Sequence, residues 1–252
     1  MKTLKLLFAL SLACLAVLGQ AQPFPTKPVR IIIGFPASGP LDQHARLLSD
    51  RLSQVLGQPV LIDYKAGAGG TVGAQEVMKA PPDGHTLLVF SPSLWTLPLI
   101  QKVAYDTLRD FAPVTVVGYG PQVLAANAAL PVRTLKELLA LAKARPGQLS
   151  YASAGNGSSQ HLAGELFKQV NKLDIQHIPY KGGQPALVDV ISGQVAFMFI
   201  NTLEVLPHAR SGRLRVLAVA NAKRAGVLPE VPTFAEAGVR GVEALTWWGL
   251  LA

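Results

Sequence analysis

Two turns rich in glycine and serine carry the residues best suited to hold a ligand: Phe35-Pro36-Ala37-Ser38-Gly39-Pro40-Leu41-Asp42 and Ala154-Gly155-Asn156-Gly157-Ser158-Ser159-Gln160-His161. Each sits between a strand-like run and a helix-like run, so each opens a helix. The first turn of a helix presents backbone N–H groups without intrahelical partners, and the summed peptide dipole adds partial positive charge there. Two such turns facing one another make a two-jawed site for a small carboxylate.

The elements that must position them alternate along the chain. Val29–Ile33 reads as a β-branched strand. The stretch from Asp42 to Leu56 reads as an amphipathic helix with Ala45, Leu48, Leu52, Val55 and Leu56 on one face, stopped by Gly57 and Pro59. Val60–Ile62 is a second strand, and Gly67-Ala68-Gly69-Gly70 leads to Thr71 as the N-cap of a helix that ends before Pro81-Pro82. Thr86–Phe90 is a third strand, with Ser91 to Trp95 as a loop at its carboxyl end. Strands over Val114–Gly118 and Gln122–Ala126 precede a helix from Arg133 to Arg145. A second unit then repeats the pattern: strand Leu149–Ser153, the second glycine-rich turn, helix Gln160–Val170, strand Ile175–Ile178, turn Tyr180-Lys181-Gly182-Gly183, helix Pro185–Ser192, and strands Val195–Ile200 and Leu214–Ala220. This order predicts an α/β fold with a mainly parallel sheet, and ligands of open α/β sheets bind at the carboxyl ends of the strands, where both turns lie.

Residues 1–21 read as a secretory signal peptide: basic Lys2 and Lys5, an apolar stretch from Leu6 to Leu18, and a small-x-small site with cleavage after Ala21. That stretch is shorter than the roughly 20 residues of a membrane-spanning helix. An exported periplasmic protein is expected. Its single cysteine, Cys14, lies in the removed segment, although Leu12-Ala13-Cys14 leaves a lipoprotein anchor open. Cleavage would leave 21 basic against 15 acidic side chains. The cationic residues are scattered and no aromatic ladder runs among them, which together with export argues against nucleic acid. At the other end, Trp247-Trp248-Gly249-Leu250-Leu251-Ala252 is apolar and uncharged. It reads as a truncation whose missing continuation would complete the first domain.

Taken together, the loop Phe35 to Asp42, Gly67-Ala68-Gly69-Gly70-x-x-Gly73-Ala74, Pro82-Asp83-Gly84-His85-Thr86-Leu87-Leu88, Asp110 to Val114, Ser153 to Phe167, Pro179-Tyr180-Lys181-Gly182-Gly183 and Leu228 to Thr233 resemble the Bug-type extracytoplasmic solute receptors. These are the substrate-binding components of tripartite tricarboxylate transporters, and the likeness runs through essentially the whole mature chain. It implies a two-domain periplasmic binding protein, type II-like, that closes like a clamshell on a small organic acid without catalysis. The domains would be residues 22–125 with 220–252, and residues 126–219. A monomer that docks on membrane transporter subunits is implied, with no cofactor and no metal. By the same resemblance the ligand contacts are Phe35, Pro36, Ala37, Ser38, Gly39 and Asp42 from one side, and Ser153, Ala154, Gly155, Asn156, Gly157, Ser158, Ser159 and His161 from the other. Ser91, Ser93, Tyr180, Lys181 and Asn201 complete the set. Neither glycine-rich loop contains an arginine, which fits capture by backbone N–H groups and ordered waters.

Three departures bear on the ligand. Ser38 stands where the family has a second glycine, Leu41 where it has a small hydroxyl residue, and Ile200 where many members carry Asp, leaving Asn201 as the nearest polar group. They favour a less polar or monocarboxylic acid.

Other readings of the same residues stay open. Glycine turns serve positive φ, Asp42 is equally suited to be an N-cap, and Phe35 to be core. A hydrolase would pair Ser158 or Ser159 with His161, but the G-x-S-x-G elbow is missing. Gly67-x-Gly69-x-x-x-Gly73 is one residue too long for a dinucleotide-binding turn. The five histidines show no i, i+4 pair for a metal.

Overall fold

A computed structural model of the chain describes residues 24–37 and 39–252. The signal peptide, Cys14 and Ser38 lie outside the described residues. Strand β1 (Val29–Ile33) pairs in parallel with β2 (Val60–Tyr64) and β3 (Thr86–Phe90), and between them run helices α1 (Pro40–Leu56) and α2 (Thr71–Met78). All but one of the β1 residues are buried, as a strand covered on both faces requires. Gly57 ends α1 in the left-handed conformation at φ 65°, the expected stop.

Strand β4 spans Pro113–Asn127 as one element where two strands were expected. Its first part pairs with β9 (Leu245–Leu251), which itself lies between β3 and β4 and runs antiparallel to both. From Gln122 onward β4 changes partners, to β7 (Phe197–Asn201) on one side and β8 (Leu214–Val219) on the other. Beyond β7 come β5 (Ser150–Ser153) and β6 (Gln176–Pro179), both parallel. Helices α4 (Leu135–Ala144), α5 (Ser159–Asn171), α6 (Gly183–Ser192) and α7 (Thr202–Arg210) cover this second sheet half.

On β9, Trp248, Leu250 and Leu251 are buried in the interior of the first sheet half. Two cores flank each half. In the second, Tyr151, Phe167, Phe197, Phe199 and Phe234 pack under α4 and α5, while Met198, Ile200, Leu187 and Val205 pack under α6 and α7.

Two local expectations are corrected. Ser93–Ile100 forms a helix, α3, not a loop. Pro98 cannot donate to the Leu94 carbonyl, but that carbonyl accepts instead from the Tyr105 hydroxyl at 3.1 Å and the Thr107 hydroxyl at 3.0 Å, so the helix tolerates its proline. The N-cap of α2 is left-handed Gly70 rather than Thr71, because at φ 97° a Cβ there would lie 2.4 Å from the Phe90 ring and 2.9 Å from Phe35.

Helix α5 approaches β5 closely at Gly164, where an added Cβ would sit 2.2 Å from the Tyr151 ring. Gly164→Ala is therefore expected to cost about 1–3 kcal/mol and lower the melting midpoint by about 3–10 °C, as measured by scanning calorimetry. An unchanged midpoint would mean that α5 can shift away from the sheet without loss.

Candidate functional site

Four helices begin at the wall of one narrow cavity of about 70 Å³ in the cleft between the sheet halves. Their N-cap residues, Gly39 of α1, Ser158 of α5, Gly182 of α6 and Asn201 of α7, all line it. Each first turn offers N–H groups that no helical carbonyl can accept. Among the described residues no charged side chain lines the cavity; its walls are largely apolar, with Phe35, Pro36, Pro40, Leu41, Pro185 and Trp248, and its side-chain polar groups come from Ser91, Ser158, Ser159, Gln160, Gln184, Asn201 and Thr246. Converging N–H donors in an apolar, partly desolvated pocket suit an anion of small size.

The second-half loop is held rigidly. The Ser158 hydroxyl accepts from the His161 N–H at 3.2 Å as a helix cap, and the Gln160 side chain accepts from the Ala154 N–H at 2.7 Å. Contacts tie this loop to the first sheet half: the Thr96 hydroxyl of α3 donates to the Gly157 carbonyl at 2.6 Å, and the Thr246 hydroxyl of β9 donates to Ser159. On the first side, Phe35 packs edge-on against Phe90 at 5.7 Å, and Trp248 stacks on His44 at 4.2 Å.

A larger outer cavity of about 560 Å³ adjoins the first and shares Phe35, Pro36 and Ala154 with it. Gly155, Asn156, Tyr180 and Lys181 line this one, and Lys181 is its only charged side chain among the described residues. The Tyr180 hydroxyl is already committed to Asp189 at 2.6 Å, and its pKa is pushed up to about 12 by burial and that carboxylate.

Of the sequence-derived site residues, Phe35, Pro36, Ala37, Gly39, Ser91, Ala154, Ser158, Ser159 and Asn201 thus meet at the inner cavity. Asp42, Ser93, Ser153, Gly157 and His161 line neither cavity. Asp42 is the third residue of α1, and its carboxylate turns away to accept from the Tyr64 hydroxyl at 2.6 Å and pair with Arg46 at 2.8 Å. It is therefore not the N-cap, a position held by Gly39. Ser93 is buried with its hydroxyl 2.8 Å from that of Ser91. Ser153 is buried 2.6 Å from His177 Nε2. Sequence reasoning missed Gln160, the Gly182 to Pro185 turn, Thr246 and Trp248. The glycine pair before Pro185 was a usable signal, being a third turn that opens a helix. Nothing local marked Thr246 or Trp248, which arrive from the far end of the chain on β9.

The pairing of Ser158 with His161 is structural. The serine hydroxyl caps the backbone, and the ring Nδ1 accepts from the Gly157 N–H at 3.1 Å. Behind it the rings of His161, His177 and Tyr151 stack at 4.2 and 4.8 Å, with Glu165 and Lys168 as the charged neighbours. Burial lowers the pKa of His161, and burial together with the facing His161 lowers that of His177 to about 4. Both rings thus take up protons more readily in the unfolded chain. The stability that they contribute is complete above about pH 6.5 and is lost as the pH falls from there toward 4. The melting midpoint is expected to drop between pH 7 and pH 5, and more shallowly in a His177→Gln variant; equal slopes would take the histidine stack out of the account.

Residues 44–252 match the model of the "Tripartite tricarboxylate transporter family receptor". The protein BugT of Bordetella pertussis is 41% identical over 235 residues, 92% of this chain and 72% of that protein. A UPF0065 protein of Pseudomonas sp. strain P51 is 40% identical over 91% of this chain and 69% of its own length. Among solved structures, a Rhodopseudomonas palustris protein with adipate superposes with a TM-score of 0.88 at 37% identity, covering 91% of this chain and 77% of that one. MatC from the same organism, with bound malate, gives 0.85 at 35%, covering 91% and 79%, and the periplasmic binding protein BugD gives 0.86 at 34%, covering 91% and 77%. The chain belongs to the tripartite tricarboxylate transporter receptor family, the Bug proteins, which are periplasmic solute-binding receptors with this α/β fold and not enzymes.

Proposed function

We propose that this receptor captures a small organic acid by its carboxylate in the inner cavity, between two domains formed by residues 22–125 with 220–252 and by residues 126–219. The observation that carries this reading is the meeting of four helix N-termini at one cavity that no charged side chain of the described residues lines. Such a site holds an anion without a counter-charge, because the donors are prepaid by the fold and need no side-chain ordering. The relatives solved with adipate and malate support the carboxylate class. The apolar walls from Leu41, Pro185 and Trp248 favour an acid less polar than a tricarboxylate.

In this reading Gly39, Ser158 and Ser159 contribute donors at the inner cavity. Asn156, Tyr180 and Lys181 line the route outside it, Gly157 and His161 hold the loop in shape, and Asp42 anchors α1. The contacts Thr96 to Gly157 and Thr246 to Ser159 hold the domains closed once the ligand is in place. The loaded receptor, exported to the periplasm after cleavage behind Ala21, then acts as a monomer that delivers its cargo to the membrane subunits of a tripartite transporter. No helix among the described residues is long and apolar enough to cross a membrane.

A thermal-shift screen of mono-, di- and tricarboxylates, amino acids and aromatic acids tests the class. A true ligand at about 100 times its Kd adds about 2.7 kcal/mol and raises the midpoint by several degrees; a folded, ligand-free protein that responds to no acid would refute carboxylate capture. The backbone donors are tested by Ser159→Pro. Ser158 already has φ −66° and ψ 155°, the backbone that a following proline requires, and proline is favoured at the first helical position. The variant should fold, yet lose about 10- to 150-fold in affinity relative to Ser159→Ala, which keeps the N–H. Equal affinity of the two variants by calorimetry would exclude that N–H as a ligand contact.

A further inference from the structure

A carboxyl group stands directly behind the wall of the inner cavity. Glu204 is the third residue of α7 and does not line that cavity, but its side chain lies against three residues that do. Its Oε2 accepts from Asn201 Nδ2 at 2.9 Å, and its Oε1 lies 3.5 Å from Gln184 Nε2. A Cβ built on Gly183 would stand 3.8 Å from the same Oε1. Gly183 and Gln184 open α6 and Asn201 caps α7, so the carboxyl sits at the N-termini of two of the four helices that meet at the cavity.

Glu204 is 8% exposed, and its hydrogen-bond partners are neutral amides. Burial pushes its pKa up to about 7, against the opposing bonds from Asn201 and Gln184. On its other side it lines a third cavity, of about 400 Å³, where the titratable and charged side chains facing it are His44 of α1, Tyr119 of β4 and Arg224. His44 Nδ1 lies 2.7 Å from the Pro40 carbonyl oxygen, and Arg224 pairs with Glu236 at 2.8 Å. Of the strands packed on α7, β7 brings no charged residue and β8 brings Arg215, which donates to the Val132 carbonyl. Helix α6 carries Asp189, bonded to Tyr180, and α7 itself carries His208 and Arg210 toward its far end. Among the described residues no cation pairs with Glu204, whereas the other buried carboxylate, Asp42, is paired with Arg46.

An acid anion in the inner cavity and an ionised Glu204 would draw on the partial positive charge of the same helix ends, from the two sides of one wall. With only the residues of that wall between them, their repulsion is screened far less than in open water. Two carboxylates that share a site in this way are relieved when one of them holds a proton. Glu204, already raised by burial before any ligand arrives, is the one that takes it. We infer that capture of an acid anion at the inner cavity is coupled to the uptake of one proton by Glu204. The inference rests on the carboxylate reading given above and adds to it a second site, for a proton. Its sign is fixed: well below pH 7 Glu204 is protonated in the empty protein and binding takes up nothing, while above pH 7 binding draws a proton from solution and affinity falls as the pH rises.

The test is titration calorimetry with propionate, succinate, adipate and malate, whose carboxyl groups stay ionised between pH 7 and pH 8.5. Each titration is repeated in two buffers of different ionisation enthalpy, and the dependence of the heat on the buffer counts the protons taken up. For an acid that binds, the wild-type protein is expected to take up about half a proton or more at pH 8, and to bind about five- to tenfold more weakly at pH 8.5 than at pH 7. Glu204→Gln, close in size and neutral at every pH, should take up none and lose that pH dependence. An uptake that persists in Glu204→Gln would place the proton on another group and overturn the assignment. Should the variant fail to fold, infrared difference spectra of the wild type at pH 8, acid-bound minus free, decide instead. A protonated-carboxyl band that grows in on binding supports the inference, because Asp42, the other buried carboxylate described, is held by Arg46; its absence overturns it. Binding with no proton uptake and an affinity independent of pH overturns the linkage and leaves carboxylate capture standing. Binding of none of the four acids by a folded, ligand-free protein overturns both.

Discussion

A helix cannot satisfy the N–H groups of its own first turn, and in this protein four helices leave that need at the same place. The convergence of α1, α5, α6 and α7 on one cavity concentrates partial positive charge without a cationic side chain on its wall among the described residues. Much else in the structure serves that arrangement. Gly39, Ser158, Gly182 and Asn201 are the N-caps that face the cavity, and the parallel strands β1, β5 and β6 deliver their chain to those turns at their carboxyl ends. In the proposed capture, fixed backbone donors would need no long side chain to be ordered on binding.

The two sheet halves share a strand. Strand β4 pairs with β9 over its first part and with β7 and β8 over its second, so a single extended segment runs through both sheet halves. Strand β9 sits beside it and carries Thr246 and Trp248 into the cavity wall, one bonded to Ser159 of α5 and the other stacked on His44 of α1. The same strand that completes the first sheet half therefore also touches the loop of the second. Thr96 of α3 adds a direct bond to the Gly157 carbonyl across the cleft.

Behind the cavity, groups with ordinarily titratable side chains are held neutral or shifted by burial. Burial of the stacked His161 and His177 favours their neutral forms, and His161 Nδ1 accepts from the Gly157 N–H, which shapes the loop. Glu204, raised to about 7 by burial, accepts from the Asn201 amide at the end of β7. Neither His161 nor Glu204 lines the inner cavity.

Elements written in local pattern were legible in the sequence. β-Branched Val29–Ile33 and Thr86–Phe90 match their strands to the residue, and Gly57 ends α1 where its type predicts. Both glycine-rich loops and the family likeness were read from the same signals, because turn chemistry and helix starts depend on neighbours in the chain. Helix α3 was not legible, since Pro98 forbids it locally and only Tyr105 and Thr107, folded back from beyond its end, satisfy the carbonyl that the proline leaves free. The direction of Asp42 was equally hidden: its type suits a ligand or a cap, and the nearby hydroxyl of Tyr64 on β2 draws it away from both. The sequence by itself thus determined which segments open helices and with what donors. Only the tertiary structure decided which donors share a cavity and that β9 closes it with Thr246 and Trp248, because those contacts join residues far apart in the chain and no local propensity encodes them.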